Sequence, residues 1–177
     1  FDGFLSNKDY ALKVLQTASS AGADSLVLCD TNGGTIHSKL AAVIDESFSK
    51  VKGNYGIHIH NDIGLAVANS LIAVEHGITQ IQGTMNGWGE RCGNANLCTI
   101  IPNLYFKMGF TDIMSKDQIK ELTSLSRYVS ELGNLIPDER QPFVGRSAFA
   151  HKAGQHADVI SKNSTLMEHM ESALVGN

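Results

Sequence analysis

His58 and His60 stand one residue apart in the stretch GIHIHNDIG. On a β-strand alternate side chains share a face, so both imidazoles would point the same way. Two neutral imidazoles on one face can grip one divalent metal. Asp62 would join them if the strand ran on. The competing reading makes each histidine a hydrogen-bonded polar residue near a barrel mouth. A second cluster, NGWGERCGNAN over 86–96, adds weight to the metal reading. Its glycines permit positive φ and close backbone approach. Asn94 offers a hard amide oxygen as a third ligand, with a plain helix N-cap as the alternative. Glu90 and Arg91 read either as an ion pair across this loop or as groups acting on substrate. In a third cluster, Asp30-Thr31-Asn32-Gly33-Gly34, Thr31 could hold a carboxylate through its hydroxyl. The alternative is a turn that needs Asp, Asn and Gly for its geometry. His151 and His156 lie in AFAHKAGQH, whereas His37, His76 and His169 read as surface residues without a role.

These clusters need elements to position them. Three units of helix, glycine, strand and polar loop follow one another. Ser6 or Asn7 can cap a first helix with the apolar stripe Tyr10, Ala11, Val14, Leu15 and Ala18, ended by Gly22. The strand Ser25–Cys29 follows. A helix over about 38–51, with Leu40, Val43, Ile44 and Phe48 on one side, precedes the strand Tyr55–His60. A helix over about 65–75 precedes the strand Ile78–Gln82, and a further helix is expected over about 94–108. Strands alternating with helices pair in parallel through right-handed crossovers. Each polar cluster follows a strand, which is the functional edge of doubly wound sheets and barrels alike. Beyond Gly109 the pattern changes. Residues 112–135 read as one helix with Ile119, Leu122, Leu125, Val129 and Leu132 on its apolar side. Pro137 and Pro142 bracket a linker, and from Val144 the chain is polar and bears histidines.

Composition narrows the function classes. The chain has 177 residues, 42% hydrophobic and 18% charged, with a net charge of -4. The absence of a basic run argues against nucleic acid. No apolar run approaches the roughly 20 residues of a membrane span. Cys29, Cys92 and Cys98 form no disulfide framework and no CxxC pair, which points to reduced thiols in the cytoplasm rather than a structural zinc site. The start at Phe1, in FDGF, reads as the middle of a longer protein.

The ordered motifs LCDTNGG, GIHIHNDIG, QGTMNGWGERCGNANL and GRSAFAHKAGQH resemble the 2-isopropylmalate, homocitrate and citramalate synthases, members of the DRE-TIM metallolyases. The resemblance spans essentially the whole chain. CDTNGG and GERCGNANL are most similar to the citramalate synthase branch. The implied fold is α/β: a partial TIM (β/α)8 barrel made of its last three βα units over 1–109, a helical linker over 110–143, and the start of a small helical subdomain over 144–177. A complete barrel typically takes about 200 residues or more. The chain is therefore expected to be a fragment, and the family's Asp-Arg-Glu segment on strand one, with its metal-ligand Asp and substrate Arg, is not in it.

Carried onto this sequence, the resemblance implies His58 and His60 as metal ligands, with Asn94 ligating or near the metal. It implies Thr31 at the keto-acid carboxylate, with Asn32 beside it. His156, Glu90 and Arg91 are the implied catalytic residues. The cofactor would be a divalent metal ion, Mg, Mn or Zn. The substrates would be acetyl-CoA and a 2-keto acid, pyruvate for the citramalate branch, joined in a Claisen-type condensation. The subdomain reaches over the partner's barrel in this family, which implies a homodimer of the full-length protein. Two other readings stand beside it. One is a metal-dependent hydrolase of the amidohydrolase type, which also uses HxH on a barrel strand. The other is an inactive, oligomerising fragment. In such a fragment, inward side chains drawn from Leu26 and Leu28 or their neighbours, and from Ile57 or Ile59, would lose partners across the barrel.

Overall fold

The computed structural model describes residues 1–151 and 167–177. It divides into two compact units, Phe1–Ile100 and Ile101–Asn177.

The first unit opens with a short helix α1 (Asp2–Ser6) and then α2 (Lys8–Ser20). Asn7, not Ser6, caps α2: its side-chain oxygen accepts from the Tyr10 amide at 3.2 Å. Strand β1 (Leu26–Asp30), helix α3 (His37–Lys50), strand β2 (Tyr55–Ile59), helix α4 (Ala66–Glu75) and strand β3 (Gln80–Gln82) follow. The strands pair in parallel in the order β1-β2-β3, as alternation with helices requires.

The register sorts the two faces of this sheet. Leu26 lies opposite Tyr55 and Leu28 opposite Ile57, while Cys29 lies opposite His58 and His58 opposite Gln82. The face bearing Leu26, Leu28, Ile57 and Ile59 is buried. Leu40, Val43 and Ile44 of α3 and Ala66 and Ala73 of α4 are buried with it. Tyr55 fixes α3 to this face: its hydroxyl donates to the Val51 carbonyl at 3.0 Å and its ring lies 4.5 Å from that of Phe48. Each such large apolar side chain contributes roughly 1.5–3 kcal/mol on full burial.

The opposite face carries Val27, Cys29, His58, Gln80 and Gln82. Cys29, Gln80 and Gln82 are exposed and His58 is half-buried. Of the side chains expected inward, Leu26 and Leu28 give way to their neighbours Val27 and Cys29 on the uncovered face, and the expectation for Ile57 or Ile59 is corrected. These four are under the helices, and their neighbours share the face of the histidines. The stripe of α2 is also less buried than its period implies: Tyr10 is 65% exposed and Val14 is 50% exposed.

The loop after β3 folds back along β2 before any helix begins. His60 bridges Asn94, Thr84 bridges Asn96, and the Ala95 amide donates to the Ile59 carbonyl at 3.0 Å. Helix α5 (Leu97–Pro102) therefore starts later than expected, and it passes into a π-turn over Asn103–Lys107. Asn96 serves its start, accepting from the Cys98 amide at 2.9 Å.

In the second unit, α6 (Lys116–Lys120) opens on a capping box between Ser115 and Gln118, and α7 (Leu122–Leu132) follows across Glu121. The single helix expected over 112–135 is thus shorter and broken. Ile119 and Leu122 are buried, but Leu125 and Leu132 are 42% and 68% exposed, and Thr123, Ser126 and Ser130 are buried instead. Thr123 explains this: its hydroxyl donates at 2.7 Å to the carbonyl of Val175, itself fully buried at the far end of the chain. No helix among the described residues is long and apolar enough to cross a membrane.

Candidate active site

The site is built from the three loops that follow the strands of the first unit. His58 is in β2 and His60 one residue past its end, and their rings lie 5.4 Å apart, centre to centre. Alternation along an extended chain brings both to the sheet face that the helices leave uncovered. His60 Nδ1 is buried without a hydrogen-bond partner among the described residues.

Asn94 stands across the bridge from His60. It is not a helix N-cap, because two residues, Ala95 and Asn96, separate it from α5 and its own backbone is tied elsewhere. Its amide N–H donates to the Gly87 carbonyl at 2.9 Å, and its side-chain Nδ2 donates to the Trp88 carbonyl at 3.0 Å. That leaves Asn94 Oδ1, which is buried and unpartnered among the described residues. A buried carbonyl oxygen without a donor costs free energy and calls for a partner. Gly89 makes room for this amide, since a methyl group there would land on Asn94 Nδ2.

An unpartnered imidazole nitrogen and an unpartnered amide oxygen on two bridged residues are what a cation would satisfy when that nitrogen carries no proton. The residues fit a divalent metal as a partial ligand set. No group of three or more His, Cys, Asp or Glu suited to a metal occurs among the described residues.

Asp62 is not on the histidine face. The strand ends at Ile59, and the Asp62 carboxylate turns to Arg91. Arg91 Nε donates to Asp62 Oδ1 at 2.7 Å, and Nη2 donates to Asp62 Oδ2 at 3.0 Å and to the Thr31 carbonyl at 2.8 Å. The expected Glu90–Arg91 pair is looser, 3.9 Å, with the Glu90 side chain 85% exposed. The hydrogen bonds from Arg91 hold the Asp62 carboxyl below the usual carboxylate range, and Asp62 in turn raises the Arg91 guanidinium.

The first loop is pinned differently from its reading. Asp30 is the last residue of β1, fully buried, and its Oδ2 accepts from the Thr35 amide at 3.1 Å. Asn69 of α4 donates to the Thr35 carbonyl at 2.8 Å from the other side. Asn32 makes the turn, accepting from the Gly34 amide at 2.8 Å, while its Nδ2 donates to Asp2 at 2.5 Å. Thr31 is exposed. Gly33, at φ 66°, lies so close to Asp62 that any side chain would strike that carboxylate.

Among the other histidines, His151 is near Glu168 at 3.8 Å, and His76 pairs with Asp45 at 2.7 Å. The expectation for His156 lies outside the described residues. Asp62 and Asn96 were the contributors the sequence reading undervalued. Both are polar residues beside glycine-rich turns, but their partners are set by folding rather than by spacing.

A family model described as HMGL-like matches residues 2–129. The chain belongs to the HMGL-like family. This HMGL-like chain is 51% identical to an (R)-citramalate synthase of Synechocystis sp., an alignment covering 100% of the chain and 34% of that protein. It is 34% identical to a 2-isopropylmalate synthase of Lysinibacillus sphaericus, over 99% of the chain and 35% of the relative. A solved HMG-CoA lyase of Acinetobacter baumannii, in complex with coenzyme A and 3-methylmalate, matches with a TM-score of 0.62 at 21% identity, covering 81% of this chain and 48% of that one. The fold is thus the TIM-barrel type of that family, a parallel sheet with helices, and the resemblance read from the four motifs is borne out. The chain spans about a third of the length of the curated relatives it matches.

Proposed function

We propose that this chain is the part of a citramalate-synthase-type acyltransferase that carries the metal-binding histidines, and that the enzyme condenses acetyl-CoA with a 2-keto acid, pyruvate first among the candidates. The observation that carries the reading is the His58–His60 pair beside the orphaned Asn94 Oδ1. The kinship with (R)-citramalate synthases, 51% identical in one case and 34% for a 2-isopropylmalate synthase, favours pyruvate over 2-ketoisovalerate. In this reading β1, β2 and β3 are the last three strands of the barrel. The uncovered polar sheet face is its interior, residues 110–143 are the linker, and 144–177 begin the subdomain. The remaining strands, and a homodimeric partner, belong to the whole protein in the cytoplasm.

His58, His60 and Asn94 would hold the divalent metal, Mg, Mn or Zn. Bound there, the metal supplies Lewis-acid polarisation of the keto-acid carbonyl. Thr31 presents its hydroxyl to the keto-acid carboxylate, one strand end away, with Asn32 shaping the turn beneath it. A base must take a proton from the acetyl-CoA methyl group so that its carbon can bond to the keto carbon. His156 is the proposed group for acid–base work, with Glu90 and Arg91 on the rim of the same site. Water then cleaves the thioester and CoA leaves. The hydrolase reading is weaker, because the strand end after β3 presents GTMNGWGERCGN with no further histidine.

The test uses the full-length protein. Acetyl-CoA is mixed with pyruvate, 2-ketoisovalerate or 2-ketoglutarate, and the product is identified by NMR. Citramalate from pyruvate supports the reading. Product only with 2-ketoisovalerate or 2-ketoglutarate moves the chain to the 2-isopropylmalate or homocitrate branch, and none with any of the three removes the synthase reading.

A further inference from the structure

We propose that Arg91 and Asp62 form a positioning clamp that sets Thr31 for the keto acid, a role that rests on the function proposed above. The two residues join all three loops of the site. Arg91 belongs to the glycine-rich loop after β3, Asp62 to the loop after β2, and the Thr31 carbonyl to the loop after β1. The backbones of these loops are also laced together. The Asn61 amide donates to the Gly93 carbonyl at 2.9 Å, and the Ile63 amide to the Gly33 carbonyl at 3.3 Å.

Donor arithmetic separates this role from direct chemistry. A guanidinium has five N–H donors. Arg91 commits Nε and both hydrogens of Nη2 to Asp62 and the Thr31 carbonyl, and the remaining Nη1 lies 3.9 Å from Glu90. The fork that would clasp a substrate carboxylate in two-pronged fashion is already occupied. Asp62 likewise has both oxygens bonded to Arg91.

The backbone of Arg91 points the same way. It adopts φ 56°, a conformation that side-chain-bearing residues rarely keep unless their surroundings impose it. That φ belongs to the turn closed by the Gly93 amide donating to the Glu90 carbonyl at 2.9 Å, and the turn presents the side chain to Asp62, 29 residues away in sequence. Holding the Thr31 carbonyl fixes the peptide plane beside the Thr31 hydroxyl. The clamp therefore bears first on the keto-acid site.

The test compares Asp62→Asn, Arg91→Lys and the double variant with wild type, all as the full-length protein. Amide hydrogen exchange is read on peptides covering 31–34 and 89–93, alongside steady-state kinetics and metal titration. Each single variant should exchange faster in both peptides and raise KM for the keto acid about tenfold, the loss expected for one charge-assisted contact. KM for acetyl-CoA and the metal dissociation constant should stay within about twofold, and the double variant should be no worse than either single one, because partners in one clamp do not add. A loss from Arg91→Lys orders of magnitude beyond that of Asp62→Asn, with additive effects, would overturn the clamp and put Arg91 on the reacting atoms. Unchanged exchange in both peptides would also overturn it. If wild type turns over no keto acid, the proposed function fails by itself, and the exchange measurement alone decides the clamp.

Discussion

Asn94 and His60 face each other across an antiparallel bridge, and each buries a polar atom, Oδ1 and Nδ1, that nothing in the described residues satisfies. The backbone hydrogen bond from Ala95 to Ile59 holds this pairing in place, so the two atoms are preset rather than recruited. If both serve one metal, replacing Asn94 has a distinct signature. Asn94→Ala removes the oxygen and should weaken metal binding about 10- to 100-fold, the scale seen for support around metal ligands. Asn94→Asp keeps an oxygen and should retain most of the affinity. Calorimetric titration with Mn or Zn reads both, and equal affinity in wild type and Asn94→Ala would make the amide a loop strut only.

Gly89 tests the same geometry from the other side. A methyl group at this position would collide with Asn94 Nδ2. Gly89→Ala should therefore cost about 1–3 kcal/mol by overpacking and weaken metal binding in step with Asn94→Ala. Denaturant unfolding and metal titration check the two effects. A variant with lowered stability and native metal affinity would show that the loop can give without moving the amide.

The histidine pair, the order of strands and loops, and the Asn7 cap were legible in the sequence because each depends on local period or on a residue's own neighbours. What escaped depends on distant contacts. Asn94 reads as a third ligand or as a cap, and the choice between them waits on the bridge to His60, with Asn96 taking the start of α5. Asp62 would share the histidine face if the strand ran on, but the strand ends at Ile59 and Arg91 claims the carboxylate. Leu28 and Cys29 are equally plausible inward residues in the string. The register and the packing of α3 against Tyr55 decide that Leu28 goes under the helices while Cys29 shares a face with His58. In α7 the leucine spacing suggested the buried side, but the bond from Thr123 to Val175 turned a serine and threonine stripe inward.

Thr31 offers a narrow test of substrate assignment. Arg91 uses only its carbonyl, so Thr31→Val removes the hydroxyl and leaves that bond in place. KM for the keto acid should rise several-fold, roughly the worth of one hydrogen bond, with KM for acetyl-CoA unchanged. Equal changes in both constants would reduce Thr31 to a turn residue.

His169 sets an acid-side expectation for the second unit. Its imidazole is held below its usual value, first by burial and then by the charge of Lys107, and its ring lies 5.3 Å from that of Phe143. Below the ordinary imidazole value of about 6.5 the unfolded chain binds a proton that the folded chain resists. Stability is thus full above that value, falls as pH drops from it towards the depressed one, and levels off below. The melting temperature should decline as pH drops below about 6.5, and His169→Gln should flatten the decline. An identical slope in the variant would assign the acid sensitivity elsewhere.

The most direct measurement is metal-dependent release of CoA by the full-length protein. The protein is stripped with chelator and given acetyl-CoA and pyruvate. Free thiol is followed before and after adding Mg, Mn or Zn, in wild type, His58→Ala and His60→Ala. The account predicts no release from stripped protein, restoration by a divalent metal only when pyruvate is present, and no restoration in either histidine variant although both remain folded by circular dichroism. Pyruvate-dependent release that persists in His58→Ala and His60→Ala, or that needs no metal, would contradict it.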